Sequence, residues 1–316
     1  MSLKITTVTP PVELAEGPHW DESTQALYFV DIWKSTIHRY VPESDQYTCT
    51  KIHLPGQEEK PVSLIIPVKN EKNKFVISYG ADIALITWDG ENDPSDYQIL
   101  ATAEQDGKNS TRFNDGKCSP SGVLFAGSMA VDQEKITDNL GNFYSFKNLN
   151  SKLLLKNIGI SNGLAWSDDE KLFYYIDSLT YKVEGFDHDS DKAEISNRRT
   201  VFDLKQNNIE AFPDGMTIDA DGNLWVACYE GSRVLKINPK TGTLLDTISL
   251  PTPNITSVAF GGKNLDELYV TSARYETFAR NIKEDDTAAG CVFKIIGTGS
   301  KGIAGASIDI SNISTH

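Results

Sequence analysis

The sequence predicts an all-β fold: a six-bladed β-propeller with four strands per blade, spanning residues 1–316 as one domain. Three observations predict it. First, a short residue group recurs just before a buried strand six times, as Glu16-Gly17, Val62-Ser63, Asn114-Asp115-Gly116, Asn162-Gly163, Asp214-Gly215 and Thr256-Ser257. From Glu16 the steps are 46, 52, 48, 52 and 42 residues, and a period of roughly 40–50 residues holding several short strands marks a propeller. Second, the repeats contain short strands separated by turn residues. Third, no stretch of helical periodicity competes with them.

The repeat is clearest from 214 to 250. Met216–Ala220 is a short apolar strand, and Ala220-Asp221-Gly222 is a hairpin turn, because Asp-Gly tolerates the positive φ such turns need. Leu224–Cys228, Arg233–Asn238 and Thr243–Leu250 follow as strands, with turns at Tyr229–Ser232 and Pro239–Gly242 between them. Ala26–Ile32, Thr36–Pro42 and Gln46–Leu54 repeat the last three of these, and Leu172–Asp177 and Tyr181–Asp187 repeat two. A segment near Ile5–Val8 is expected to close the ring against the last blade.

The net charge of −14 argues against nucleic acid and anionic membrane as partners, since both reward basic patches. No apolar run approaches the roughly 18 residues of a membrane span, and residues 1–7 lack a signal pattern. The four cysteines, Cys49, Cys118, Cys228 and Cys291, have no CxxC spacing and read as single buried thiols of a cytoplasmic protein. The Asn-x-Ser/Thr triplets at Asn109, Asn254 and Asn312 are then expected to carry no sugar.

In a propeller the innermost strands face one channel, so the repeated groups converge. They bring together two carboxylates, Glu16 and Asp214, and two amides, Asn114 and Asn162. Alone, Pro213-Asp214-Gly215 and Asn162-Gly163 read as turns; recurrence at equivalent strands argues otherwise. A buried carboxylate needs a partner. No lysine is expected at an equivalent channel position, and Arg112 is the one arginine nearby, so a cation is the better answer. Carboxylate and amide oxygens suit Ca²⁺, Mg²⁺ or Mn²⁺ better than Cu²⁺ or structural Zn²⁺. Arg112 and Asn114 sit two apart on a strand and so share a face. Asp132, in the loop Met129–Asp132, can return to the channel mouth.

Two familiar patterns are set aside. Gly159-Ile160-Ser161-Asn162-Gly163 matches Gly-x-Ser-x-Gly, but a nucleophile elbow needs a helix directly after it, and Leu164–Trp166 reads as a strand. Gly297–Gly302 matches GxGxxG, but the 14 residues that follow are too few for a βαβ unit.

The chain resembles the senescence-marker-protein/gluconolactonase/luciferin-regenerating-enzyme family. The resemblance rests on Glu16-Gly17-Pro18-His19-Trp20, Leu27–Asp31, Arg112-Phe113-Asn114-Asp115-Gly116-Lys117, Ser161–Trp166, Pro213-Asp214-Gly215 and Ser257–Gly262. It spans nearly the whole chain and is nearest to the insect members. It implies one divalent metal ion (Ca²⁺, Mg²⁺, Mn²⁺ or Zn²⁺, with Ca²⁺ the expected occupant) held by Glu16, Asn162 and Asp214. It also implies substrate contacts from Arg112 and Asn114. Asp132 stands where sugar-lactonase members carry Glu, and is expected to accept a hydroxyl hydrogen bond.

The reading is a metal-dependent hydrolase of sugar-acid lactones, with Asp214 as general base and a small molecule as its partner, acting as a monomer or weak homodimer. The alternatives are a hydrolase of a nitrile or other non-sugar substrate related to luciferin, and a calcium-binding or ligand-binding propeller without turnover.

Overall fold

The computed structural model describes residues 2–103, 110–274 and 286–311. Six four-stranded antiparallel sheets are arranged as the blades of a propeller. Their innermost strands are Ala15–Asp21, Ile65–Pro67, Thr111–Cys118, Ser161–Trp166, Phe212–Ile218 and Ile255–Gly261. Each sheet but the last is a meander in chain order. The sixth blade borrows its outermost strand from the N-terminus: Lys4–Thr7 pairs with Phe293–Ile296, Ile5 opposite Ile295. That placement agrees with the closing segment the sequence predicts.

The period-2 alternation of a strand explains how the blades cohere. In the second strand of blade 5, Leu224, Val226 and Cys228 pack toward blade 4, against Tyr174, Ile176 and Val183. The intervening Trp225 and Ala227 pack toward blade 6, against Val258, Phe260 and Val270. Comparable apolar cores fill the other four seams. Both faces of the inner strands are therefore dry, and the outermost strands, such as Thr243–Ser249, are mostly exposed.

The donor groups lie within the innermost strands rather than ahead of them, except at Val62-Ser63. Five of the strands carry a register shift at the recurring group, between Glu16 and His19, Phe113 and Asp115, Asn162 and Leu164, Pro213 and Met216, and Ile255 and Ser257. A bulge re-aims side chains that regular pleating would bury in the seams. Gly17 takes a left-handed φ of +56°, but the glycines after Asn162 and Asp214 serve close packing, not a turn. A Cβ on Gly163 would sit 2.7 Å from Asp214 O, and one on Gly215 would sit 2.0 Å from Ser257 Oγ.

Among the described residues no helix is long and apolar enough to cross a membrane. No cysteine is bridged; Cys118, Cys228 and Cys291 are buried, whereas Cys49 is exposed, against expectation, because it lies on an outermost strand. Asn254 is buried; Asn109 and Asn312 lie outside the described residues.

Candidate metal and active site

Glu16, Arg112, Asn114, Asn162 and Asp214 line one cavity of about 70 Å³ at the channel mouth. All five are buried. A chain of hydrogen bonds fixes the amides. Ser178 Oγ donates to Pro213 O at 2.7 Å, and a carbonyl can only accept. The serine has thus spent its one proton and must accept from Asn162 Nδ2, at 2.9 Å. Asn162 Oδ1 is thereby turned the other way, where Asn114 Nδ2 reaches it at 3.1 Å. Asn114 Nδ2 also donates to Ser161 O at 2.9 Å, which leaves Asn114 Oδ1 to accept from Arg112 Nη1 at 2.9 Å. Arg112 lies over the Trp33 ring, 5.3 Å from its centroid.

The carboxylates are under electrostatic pressure. Burial, then the charge of Asp115, pushes Glu16 up to about 8. Burial, then the charges of Glu16 and Asp115, holds Asp214 well above the usual carboxylate range. Asp214 Oδ1 is buried with no hydrogen-bond partner among the described residues. Among the described residues Glu16 Oε2 accepts only from the adjacent Gly17 N–H, at 3.0 Å. Two buried carboxylates short of donors are a cation's environment. No three His, Cys, Asp or Glu side chains among the described residues converge as a ligand cluster, so the donor set that fits a cation is two carboxylates plus the Asn162 amide oxygen.

Asp132 is not brought to this cavity. Its carboxylate accepts from Glu134 N at 3.0 Å, capping the 3₁₀-helix Gln133–Asp138, and pairs with Lys135 at 3.5 Å. Its neighbour Gln133 lines the cavity instead, with Oε1 buried and unpartnered among the described residues.

Two channel residues escaped the sequence reading. Asp115 is buried beside Asn114 and accepts from Gly116 N at 2.7 Å. Lys117 does enter the channel, contrary to expectation: its Nζ donates across to Met216 O at 2.6 Å, and its charge lies near Asp115. The motif Arg112–Lys117 contained both residues as its signal. Ser161 is no nucleophile elbow; it sits on a strand and its Oγ is 2.8 Å from Tyr175 OH.

Comparison with known proteins decides the family. The profile described as SMP-30/Gluconolactonase/LRE-like region matches residues 14–274. The chain belongs to this family. It is 40% identical to regucalcin of Macaca fascicularis over 307 residues, covering 96% of this chain and 97% of that protein. Regucalcin of Danio rerio is 39% identical over 292 residues, with 92% and 93% covered. A solved luciferin-regenerating enzyme superposes with a TM-score of 0.89 at 39% identity, covering 98% of this chain and all of that one. The SMP-30/gluconolactonase match includes every residue of the cavity named above.

Proposed function

We propose that the protein is a divalent-metal-dependent hydrolase of lactones. The observation that carries this reading is the pairing of two under-solvated carboxylates, Glu16 and Asp214, with a buried guanidinium, Arg112, in one cavity. Glu16, Asn162 and Asp214 would hold the cation. A bound divalent ion supplies Lewis acidity at the ester carbonyl.

The chain's own residues do the rest. Asp214 would take a proton from the attacking water as its oxygen bonds to the carbonyl carbon. The ring C–O bond would then break, and the leaving alkoxide would take that proton back from Asp214 to give a hydroxy acid. Arg112 offers a fixed positive charge to an anion that the neutral lactone lacks and the product carries. The hydrogen bond from Asn114 holds Asn162 in position. The apolar walls exclude water from competing positions. The gluconolactonase in the family's name supports this reaction class.

The test is hydrolysis of a lactone panel with Ca²⁺, Mg²⁺, Mn²⁺ and Zn²⁺ in turn, with and without chelator. Chelator-sensitive turnover is expected. Tight Ca²⁺ binding without turnover on any lactone would favour a binding protein instead.

A further inference from the structure

A second cavity, of about 110 Å³, lies farther along the channel. Its wall residues follow the oxygen donors by three or four places on the same inner strands: His19 and Trp20 after Glu16, Lys117 after Asn114, Trp166 after Asn162, and Thr217 after Asp214. It therefore sits about 10 Å from the candidate metal site, toward the opposite end of the channel. The C-terminal segment roofs it. Ala220 N donates to Lys301 O at 2.8 Å and Gly302 N to Leu265 O at 2.7 Å, anchoring the segment on blades 5 and 6. Ile308 N donates to Pro67 O at 2.9 Å, anchoring it on blade 2. Between these anchors the span 303–307 makes no backbone hydrogen bond to the blades among the described residues. Gly305 lies directly over His19: a Cβ there would sit 2.9 Å from His19 Cε1.

Three ring nitrogens of this wall are buried with no hydrogen-bond partner among the described residues: His19 Nε2, Trp20 Nε1 and Trp166 Nε1. All three side chains are less than one-tenth exposed. An indole N–H can only donate. Burial lowers His19 to about 4, so near pH 7 its imidazole is neutral and can carry its proton on Nε2. Lys117 brings a positive charge to the wall, and Met216 O takes only one of its three N–H groups. Asp168 stands at the exposed rim. Leu164, Ile218 and Phe260 make the wall otherwise apolar. We infer that this chamber is a second binding site, for a short-chain carboxylate. Unmet donors beside a cation favour an acceptor that carries negative charge, and the apolar wall takes the alkyl end. The volume, set against the roughly 150 Å³ of an engineered cavity that holds benzene, suits an acid of about four carbon atoms. The inference requires neither lactone hydrolysis nor a bound metal.

The experiment titrates the full chain with butyrate, without added metal, while NMR follows the indole N–H signals, assigned through Trp20→Phe, Trp33→Phe and Trp166→Phe. The Trp20 and Trp166 signals should move downfield saturably, as N–H groups do on gaining an acceptor. The Trp33 signal reports on the metal-site cavity, whose wall it lines, and should stay in place. Butyramide, the uncharged isostere, should bind about tenfold more weakly. Ala304→Leu crowds the chamber from its roof and should abolish the response, whereas Ala304→Gly should keep it. No saturable movement of the Trp20 or Trp166 signals, movement of Trp33 alone, or an undiminished response in Ala304→Leu overturns the site. Butyramide binding as tightly as butyrate overturns the carboxylate as its ligand.

Discussion

In blade 5 the side chain at the channel is Asp214, and its Oδ1 is buried without a partner among the described residues. In blade 2 the equivalent place holds Ser63, whose hydroxyl lies 2.8 Å from Ser78 Oγ. In blade 6 it holds Thr256, which donates to Ala15 O of blade 1 at 2.6 Å across the ring closure. One position in a repeated unit thus serves two ends. Where the hydrogen-bond needs are met inside the protein, the residue fastens its own blade, as Ser63 does, or joins two blades, as Thr256 does. Where they are left unmet at the cost of a buried charge, the residue waits for something the protein does not contain.

The largest test of this contrast is Asp214→Ala. It should weaken Ca²⁺ binding by about 100-fold or more, because one of two charged ligands is lost. Asp214→Asn should raise the melting temperature of the metal-free protein, since it removes a charge that repels Glu16. Calorimetric titration and thermal scanning check both. Undiminished Ca²⁺ affinity in Asp214→Ala would end the metal-site assignment.

The next effect follows pH. Glu16 is raised from its ordinary 4.5 to about 8 by burial and by Asp115. Between those values the folded state binds more protons than the unfolded chain. Metal-free stability should therefore fall as pH rises through this window, by roughly 1 kcal/mol per pH unit. Ca²⁺ affinity should climb over the same range, with protons released on binding. Glu16→Gln should flatten the stability slope; an unchanged slope would remove Glu16 as its source.

A smaller effect is expected at Ser178, which touches no proposed ligand atom but orients Asn162. Ser178→Ala should weaken Ca²⁺ binding about tenfold. No change would mean that Asn162 holds its orientation without the serine. The smallest effects belong to the structural blades. Ser63→Ala and Thr256→Val should each cost about 1 kcal/mol of stability in denaturant unfolding and leave Ca²⁺ affinity intact. Altered affinity in either would blur the distinction between the two kinds of blade.

The spacing of the repeats and their strand alternation made the propeller legible in the sequence, because each blade must bury both faces of its inner strands and repeats the same pattern to do so. Glu16, Asn162 and Asp214 were legible for a related reason: oxygen donors at equivalent strands must meet on the channel. Adjacent residues were harder to separate. Strict pleating would send Asn114 and Asp115 to opposite faces, but the shift between Phe113 and Asp115 breaks the alternation and buries both. A bulge is a compromise among neighbouring blades, and nothing local in Arg112–Lys117 encodes it. Likewise one residue of helical rotation separates Asp132, which caps, from Gln133, which lines the cavity. The sequence by itself determined the blade count and the oxygen-donor chemistry of the channel, since both follow from periodicity and residue type. Only the tertiary structure decided which side chains face the cavity and which are already bonded, because those depend on register shifts and contacts between blades distant in sequence.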